Sequence, residues 1–210
     1  MKKTTKKRDA TLSKQLILDN AKLLFSQKGF QASSMDELSK MTGLNKAMIF
    51  YYFKNKQGLY EAVITEILHG MYEEIAKNNE IELTPTKQLE SFIKTYANYA
   101  CSHSYFPALL LKELSSSGAK IPEHLFFAMR KLYSIFSDII KAGEESGEFK
   151  EVIPMILYFM IIGTLNLMIT TKPIRQKAQI SEEFDLDTCA SCDIDEIANY
   201  IILQVKKIVI

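Results

Sequence analysis

Four residues within a stretch of six, Lys46, Ala47, Met48 and Tyr51, carry the most specific chemistry of this 210-residue chain. A lysine ammonium donates to guanine or to a phosphate, Ala and Met side chains lie against a thymine methyl, and a tyrosine hydroxyl reaches phosphate. Other chemistries are poorly supplied. The sequence contains no G-x-S-x-G, P-loop, G-x-G-x-x-G or H-E-x-x-H. His69, His103 and His124 have no metal-ligand spacing with one another. Cys189-Ala-Ser-Cys192 is a C-x-x-C that would bind metal or form a redox pair, with Cys101 and His103 as the further ligands of a zinc set. It has no matching second pair, so the expectation is no enzyme, no metal and no cofactor, with redox or metal sensing at Cys189 and Cys192 left as an alternative signal.

The elements that must position those four residues are short helices. Ile17, Ala21, Leu24 and Phe25 repeat at helical spacing, Gly29 supplies a left-handed stop, and Phe30 is placed to fold back on the helix it ends. Ser34 and Glu37 have the spacing of a capping box, Met35, Leu38 and Met41 give the second helix its apolar side, and Gly43 breaks it. Asn45 then caps a third helix from Lys46 to about Phe53. Two helices joined by a Gly-containing turn are the layout of a helix-turn-helix, whose second helix enters the major groove. Leu38, Leu44, Ile49 and Tyr52 fall at its interior positions, and Lys46, Ala47, Met48 and Tyr51 project outward.

Charge supports a polyanionic partner. The net charge of +1 divides into 12 Lys+Arg against 4 Asp+Glu in residues 1–60, net +8, and 14 against 21, net −7, in residues 61–210. A basic head and an acidic body follow, and the head is expected to bind double-stranded DNA. Residues 1–11 are polar and basic and read as a disordered tail, 12–56 as the helix-turn-helix domain, and 57–210 as a helical ligand-binding and dimerisation domain.

The spacing of Ile17 to Ala21, Leu24–Phe25, Gly29–Phe30, Ser33–Ser34, Leu38, Gly43 to Lys46, Phe50 to Lys56 and Leu59–Tyr60 resembles the N-terminal domain of TetR/AcrR-type transcriptional regulators. That resemblance implies an all-α homodimer that represses transcription from a pseudo-palindromic operator and is released by a small hydrophobic effector. It further implies DNA contacts at Ser34, Lys46, Ala47, Met48, Tyr51, Tyr52 and Lys56. The chain departs from the family's usual Tyr at Phe50, from a frequent His at Tyr52, and from the usual Ala at Ser39.

The body holds most of the aromatic residues and many of the methionines, which suit either an ordinary core or an apolar pocket between helices. Tyr99, His103 and Asn166 are its candidate polar anchors for an effector, and Asn166 would alternatively pair across a dimer interface. Helices are expected over about 59–77, 87–101, 107–116, 122–145, 154–170 and 193–208, with a loop holding at most a turn of helix over 172–192. The resemblance implies dimerisation through about 154–170 and 193–208, which would explain both the uncharged run from Val152 to Thr171 and the stripe Ile194, Ile197, Ile201, Val205 and Ile208. That run is long enough for a membrane span, but Pro154, Gly163 and Asn166 favour a buried or interface helix. A membrane-associated protein anchored there remains the alternative. No apolar segment follows the basic N-terminus as a secretory signal requires, and three cysteines suit a reducing compartment, so a cytoplasmic protein is expected.

Overall fold

A computed structural model describes residues 2–79, 82–115, 123–180 and 193–210. Among the described residues every regular element is an α-helix: α1 (Lys2–Ala32), α2 (Met35–Thr42), α3 (Lys46–Phe53), α4 (Lys56–Asn78), α5 (Pro85–Ser102), α6 (Tyr105–Ser115), α7 (Glu123–Ser146), α8 (Pro154–Thr170), α9 (Lys172–Ile180) and α10 (Ile194–Val209). The fold is therefore all-α. The chain forms two compact units, Met1–Leu68 with Ala108–Leu125, and His69–Pro107 with Phe126–Ile210. The first unit reaches beyond the expected 12–56 because the first half of α4, most of α6 and the start of α7 belong to it.

In the first unit, Ile17, Ala21, Leu24 and Phe25 are buried at the spacing the sequence predicts. Gly29, at φ 77 and ψ 172, ends the regular course of α1 in a conformation that a side chain resists. Phe30 then returns to Phe25, with ring centroids 6.2 Å apart. Instead of the expected tail, the backbone from Lys2 is already helical and continuous with α1. Ser34 caps α2 by accepting from the Glu37 amide, but the reciprocal half of the expected capping box is missing. The Glu37 carboxylate takes the Lys28 ammonium at 2.6 Å instead, a charge-assisted contact stronger than one to a neutral amide. Gly43 closes α2 in the left-handed region, and Asn45 Oδ1 accepts from the Met48 amide to open α3. The Ser39 hydroxyl donates to the Leu44 carbonyl at 2.5 Å, so the departure from Ala ties the turn to α2.

In the second unit, α5 packs on α8 and α10. Thr84 caps α5 ahead of Pro85, and Asp193 caps α10 in a complete capping box with Glu196. Phe92, Phe136 and Tyr158 form an aromatic cluster with centroids 5.2 to 6.4 Å apart. Gly143 on α7 is obligatory, since a Cβ there would lie 1.9 Å from the Phe149 ring. The expected loop at 172–192 begins instead with two and a half turns of helix, α9. Pro173 is tolerated in a first turn, and Arg175 Nη1 donates to the Met168 carbonyl at 2.8 Å, which closes the end of α8. Cys189 and Cys192 lie outside the described residues. Among the described residues no helix, α8 included, is long and apolar enough to cross a membrane.

Asn166, at 2% exposure, accepts a hydrogen bond from the buried Tyr96 hydroxyl at 3.1 Å. Asn166→Ala should cost about 1–3 kcal/mol by leaving that hydroxyl unpaired, while Tyr96→Phe combined with Asn166→Leu should cost less than the two single changes added together. Denaturant unfolding checks both. The Glu90 carboxyl is raised by burial but lowered more by Lys206 and Lys87, which hydrogen-bond to it, so it titrates below the ordinary value. A depressed carboxyl contributes stability above the unfolded-state value and loses it as pH falls through the folded one. Glu90→Gln should therefore destabilise at neutral pH, with the difference from the wild type shrinking as the pH falls below the ordinary carboxylate range, as followed by thermal melts at a series of pH values.

Candidate nucleic-acid interface and effector anchors

The inner face of α3 is made by Ile49 and Phe53, both buried, and Leu38 of α2 is buried with them. That leaves Lys46, Ala47, Phe50 and Tyr51 exposed, with Tyr51 at 82%. Met48 is half-buried, which corrects its expected outward placement. A residue two positions after Lys46 and one before Ile49 falls at the edge of a helical face. Tyr52, expected in the interior, is also half-buried, with its ring edge-on to Tyr51 at 5.3 Å. Leu44 is half-buried as well, because it sits in the turn. Ser34 is exposed at the start of α2, its hydroxyl oxygen accepting from Glu37.

The cations are more committed than the sequence implies. Lys46 Nζ lies 2.5 Å from Asp36 Oδ1. Lys56 Nζ donates to the Gln31 carbonyl at 3.2 Å and sits 4.5 Å from the centre of the Phe30 ring, a half-buried setting that lowers its pKa. The α3–α4 junction is tight: a Cβ at Gly58 would come within 2.4 Å of the Phe53 carbonyl, and Asn55 Oδ1 accepts from the Gly58 amide. A glycine at this point lets α4 begin directly beneath the end of α3.

Sequence reasoning missed a second set of residues in this unit. Lys112, near the end of α6, donates to the carbonyls of Ser26 and Gln27 at 2.6 and 2.7 Å. Those are among the carbonyls that Gly29 leaves open at the end of the regular course of α1, where a cation is favoured. The adjacent Glu113, buried, receives the hydroxyl of Tyr60 on α4 in a short hydrogen bond. Burial and then the neighbouring carboxylate push the Tyr60 phenol far above its ordinary value. Two charged residues in the apolar run from Ala108 to Leu114 were the available signal.

The three expected effector anchors do not converge. His103 stacks on Tyr99 with centroids 4.1 Å apart and its Nδ1 is 2.9 Å from the Tyr99 carbonyl. The Tyr99 phenol packs so close to α4 that a Cβ at Gly70 would lie 2.5 Å from its hydroxyl. Asn166 belongs instead with Tyr96, one turn earlier on α5. Tyr158, whose hydroxyl burial pushes up to about 12, packs against Phe92 of α5. A buried phenol requires an acceptor, so Tyr96 and Asn166 were legible as partners only once both helices were placed. Among the described residues no group of three His, Cys, Asp or Glu is arranged to hold a metal ion.

The two helices expected at a dimer interface divide their faces. On α8, Leu157, Ile161, Ile162, Leu165 and Asn166 are buried, while Ile156, Phe159, Met160 and Leu167 are exposed. On α10, the stripe assigned to dimerisation is largely core: Ile197, Ile201 and Val205 are buried, and α10 packs on α5. The exposed face carries Tyr200, Leu203 and Lys207 instead.

Residues 17–63 match the family profile described as bacterial regulatory proteins, tetR family, and residues 82–170 match the tetracyclin repressor-like C-terminal domain. A probable HTH-type transcriptional regulator, YttP of Bacillus subtilis (strain 168), is 30% identical over 172 residues, 81% of either chain. The chain belongs to the TetR family. It is accordingly a transcriptional regulator, with an N-terminal DNA-binding helix-turn-helix and a C-terminal ligand-binding domain, and not an enzyme. The regulator RutR of Escherichia coli (strain K12) is 27% identical over 161 residues, 76% of each chain. In fold, this TetR-family protein is similar to a Rhodococcus RHA1 regulator of the tetR family, with TM-score 0.76, 18% identity and coverage of 94% of this chain and 96% of that one. It is similar also to FadR of Bacillus subtilis, solved in complex with stearoyl-CoA, with TM-score 0.72, 19% identity and coverage of 91% and 96%.

If Lys112 and Glu113 anchor α6 in the head of this regulator, truncating either destabilises it. Glu113→Ala should cost about 1–3 kcal/mol by stripping the buried Tyr60 hydroxyl of its acceptor. Lys112→Ala should cost about 1 kcal/mol or less for the lost contact at a helix end. Thermal and denaturant unfolding of the two variants measure both.

Proposed function

We propose that this protein represses transcription by binding a pseudo-palindromic operator as a homodimer and releases it when a small hydrophobic effector binds the second unit, in the cytoplasm. The observation that carries this reading is the division of α3, whose Ile49 and Phe53 are buried while Lys46, Ala47 and Tyr51 remain open to solvent. In a helix-turn-helix, side chains so placed near the start of the second helix meet base edges. Ser34, Tyr52 and Lys56 flank them as phosphate contacts, and Met48 contributes from the edge of the face. The basic residues of 1–11, continuous with α1, add positive potential near the DNA.

Dimerisation through α8 and α10 is supported by the exposed apolar side chains Ile156, Phe159, Met160, Leu167, Tyr200 and Leu203. Apolar patches of that kind mark association surfaces. Asn166 is taken by Tyr96 inside the protomer, which favours the in-protomer role over pairing across the dimer. An apolar effector is favoured by the aromatic contacts of Tyr96 and Tyr99 with Phe106 in the second unit, and by two similar proteins, a Bacillus subtilis fatty acid metabolism regulator and FadR solved in complex with stearoyl-CoA. Helices α4 and α6 are each shared between the two units along the chain. An effector that binds one arrangement of these helices better than another shifts the population toward it, by no more than its difference in affinity.

Selection of bound duplexes from a random pool should return an inverted repeat with half-sites about one helical turn apart or a multiple of it. Enrichment of no sequence would sink the proposal. On the selected operator, Lys56→Ala should weaken binding and reduce the slope of log affinity against log salt by about one unit, as expected when one phosphate contact is lost. An unchanged slope would confine Lys56 to its intramolecular contacts with Gln31 and Phe30.

A further inference from the structure

The reading face contains a carboxylate as well as a lysine. Asp36, in the first turn of α2, places Oδ1 2.5 Å from Nζ of Lys46, the first residue of α3, and their side chains remain 66% and 47% exposed. Two other carboxylates of the head have structural duties. Asp19 pairs with the buried Lys22, and Glu37 holds Lys28 of α1. Asp36 instead meets the residue best placed to read DNA. An ion pair this exposed stabilises a fold little, and a carboxylate near phosphates opposes binding in a segment otherwise rich in cations.

A carboxylate can only accept hydrogen bonds. In the major groove, cytosine presents the N4 amino donor, while its guanine partner presents O6 and N7 as acceptors. Cytosine N4 and guanine O6 are themselves joined by a hydrogen bond of about 2.9 Å. An acceptor and a donor held 2.5 Å apart, as Asp36 Oδ1 and Lys46 Nζ are, match the two atoms in spacing and in opposite sense. Adenine is disfavoured at that position, because its N7 acceptor would face the carboxylate.

We propose that Asp36 and Lys46 act as one unit to read a C·G base pair in each operator half-site, Asp36 accepting from cytosine N4 and Lys46 donating to guanine O6 and N7. Asp36 is thus a specificity-determining residue, and its role rests on the DNA-binding reading above.

Selection from a random duplex pool with the full-length wild type, Asp36→Ala, Asp36→Asn and Lys46→Ala tests the proposal, with melting curves recorded for each protein. The wild type should enrich C·G at one symmetric position. Asp36→Ala and Lys46→Ala should each relax that same position by about ten-fold and leave the others unchanged. Asp36→Asn should move the preference toward adenine, whose N6 and N7 pair with an amide. Base preferences preserved at every position in both Asp36 variants would overturn the inference, even if overall affinity rose, because the carboxylate would then act through charge alone. Relaxation of different positions by Asp36→Ala and Lys46→Ala would overturn it equally. Failure of the wild type to enrich any sequence would be a different result, directed at the DNA-binding reading itself.

Discussion

Tyr60 sits at 1% exposure in the first unit with its ring edge-on to Phe25 and Phe30, at 5.0 and 5.1 Å, and its hydroxyl on Glu113. It therefore joins α1, the turn after Gly29, α4 and the end of α6 in one buried contact. The aromatic ring supplies apolar area, and the hydroxyl and carboxylate must satisfy each other because water is excluded. Much of what positions the reading helix hangs from this point. Gly58 brings the start of α4 against the end of α3, so the helix that carries Tyr60 also sets where Phe53 and Tyr51 lie. Lys112, one residue before Glu113, closes the open carbonyls of α1 from the same helix.

Electrostatics in the head follow a division by partner. Lys22, Lys28 and Lys112 are taken up by Asp19 and Glu66, by Glu37, and by backbone carbonyls, which fasten helices to one another. Lys56 is shared between Gln31 and the Phe30 ring. Of the 12 Lys and Arg in residues 1–60, only some are thus available to a polyanion at short range. Counting lysines measures the long-range field, while the ion pairs decide which cations meet a phosphate at short range.

In the second unit the same helix surface has two fates. The buried faces of α8 and α10 complete a core with α5 that contains one polar contact, Tyr96 to Asn166, among aromatic rings. The outward faces keep large apolar side chains that no part of the described protomer covers. An isoleucine stripe and an uncharged run look alike in sequence whichever surface they serve. Their assignment changed because Ile197, Ile201 and Val205 are buried on a helix that packs on α5 and α8, leaving Tyr200 and Leu203 to face outward.

The sequence by itself determined the helices of the head, their caps at Ser34 and Asn45, the breaks at Gly29 and Gly43, and the family to which the chain belongs. Those are local properties: capping, backbone freedom at glycine and periodicity act over a few residues, so they can be read without the fold. It determined equally well which face of α3 is buried at Ile49, since a 3.6-residue period fixes one face relative to another. What only the tertiary structure decided were contacts between distant residues. The pairing of Asp36 with Lys46, of Tyr60 with Glu113 and of Tyr96 with Asn166 spans turns or whole helices, and no periodicity encodes it. Helix α9, whose Arg175 reaches back to α8, and the missing half of the Ser34 and Glu37 box belong here too. In the last, an ion pair with Lys28 drew the Glu37 carboxylate away from a neutral amide. Local propensity sets what an element is, and competition among partners in space sets what each side chain does.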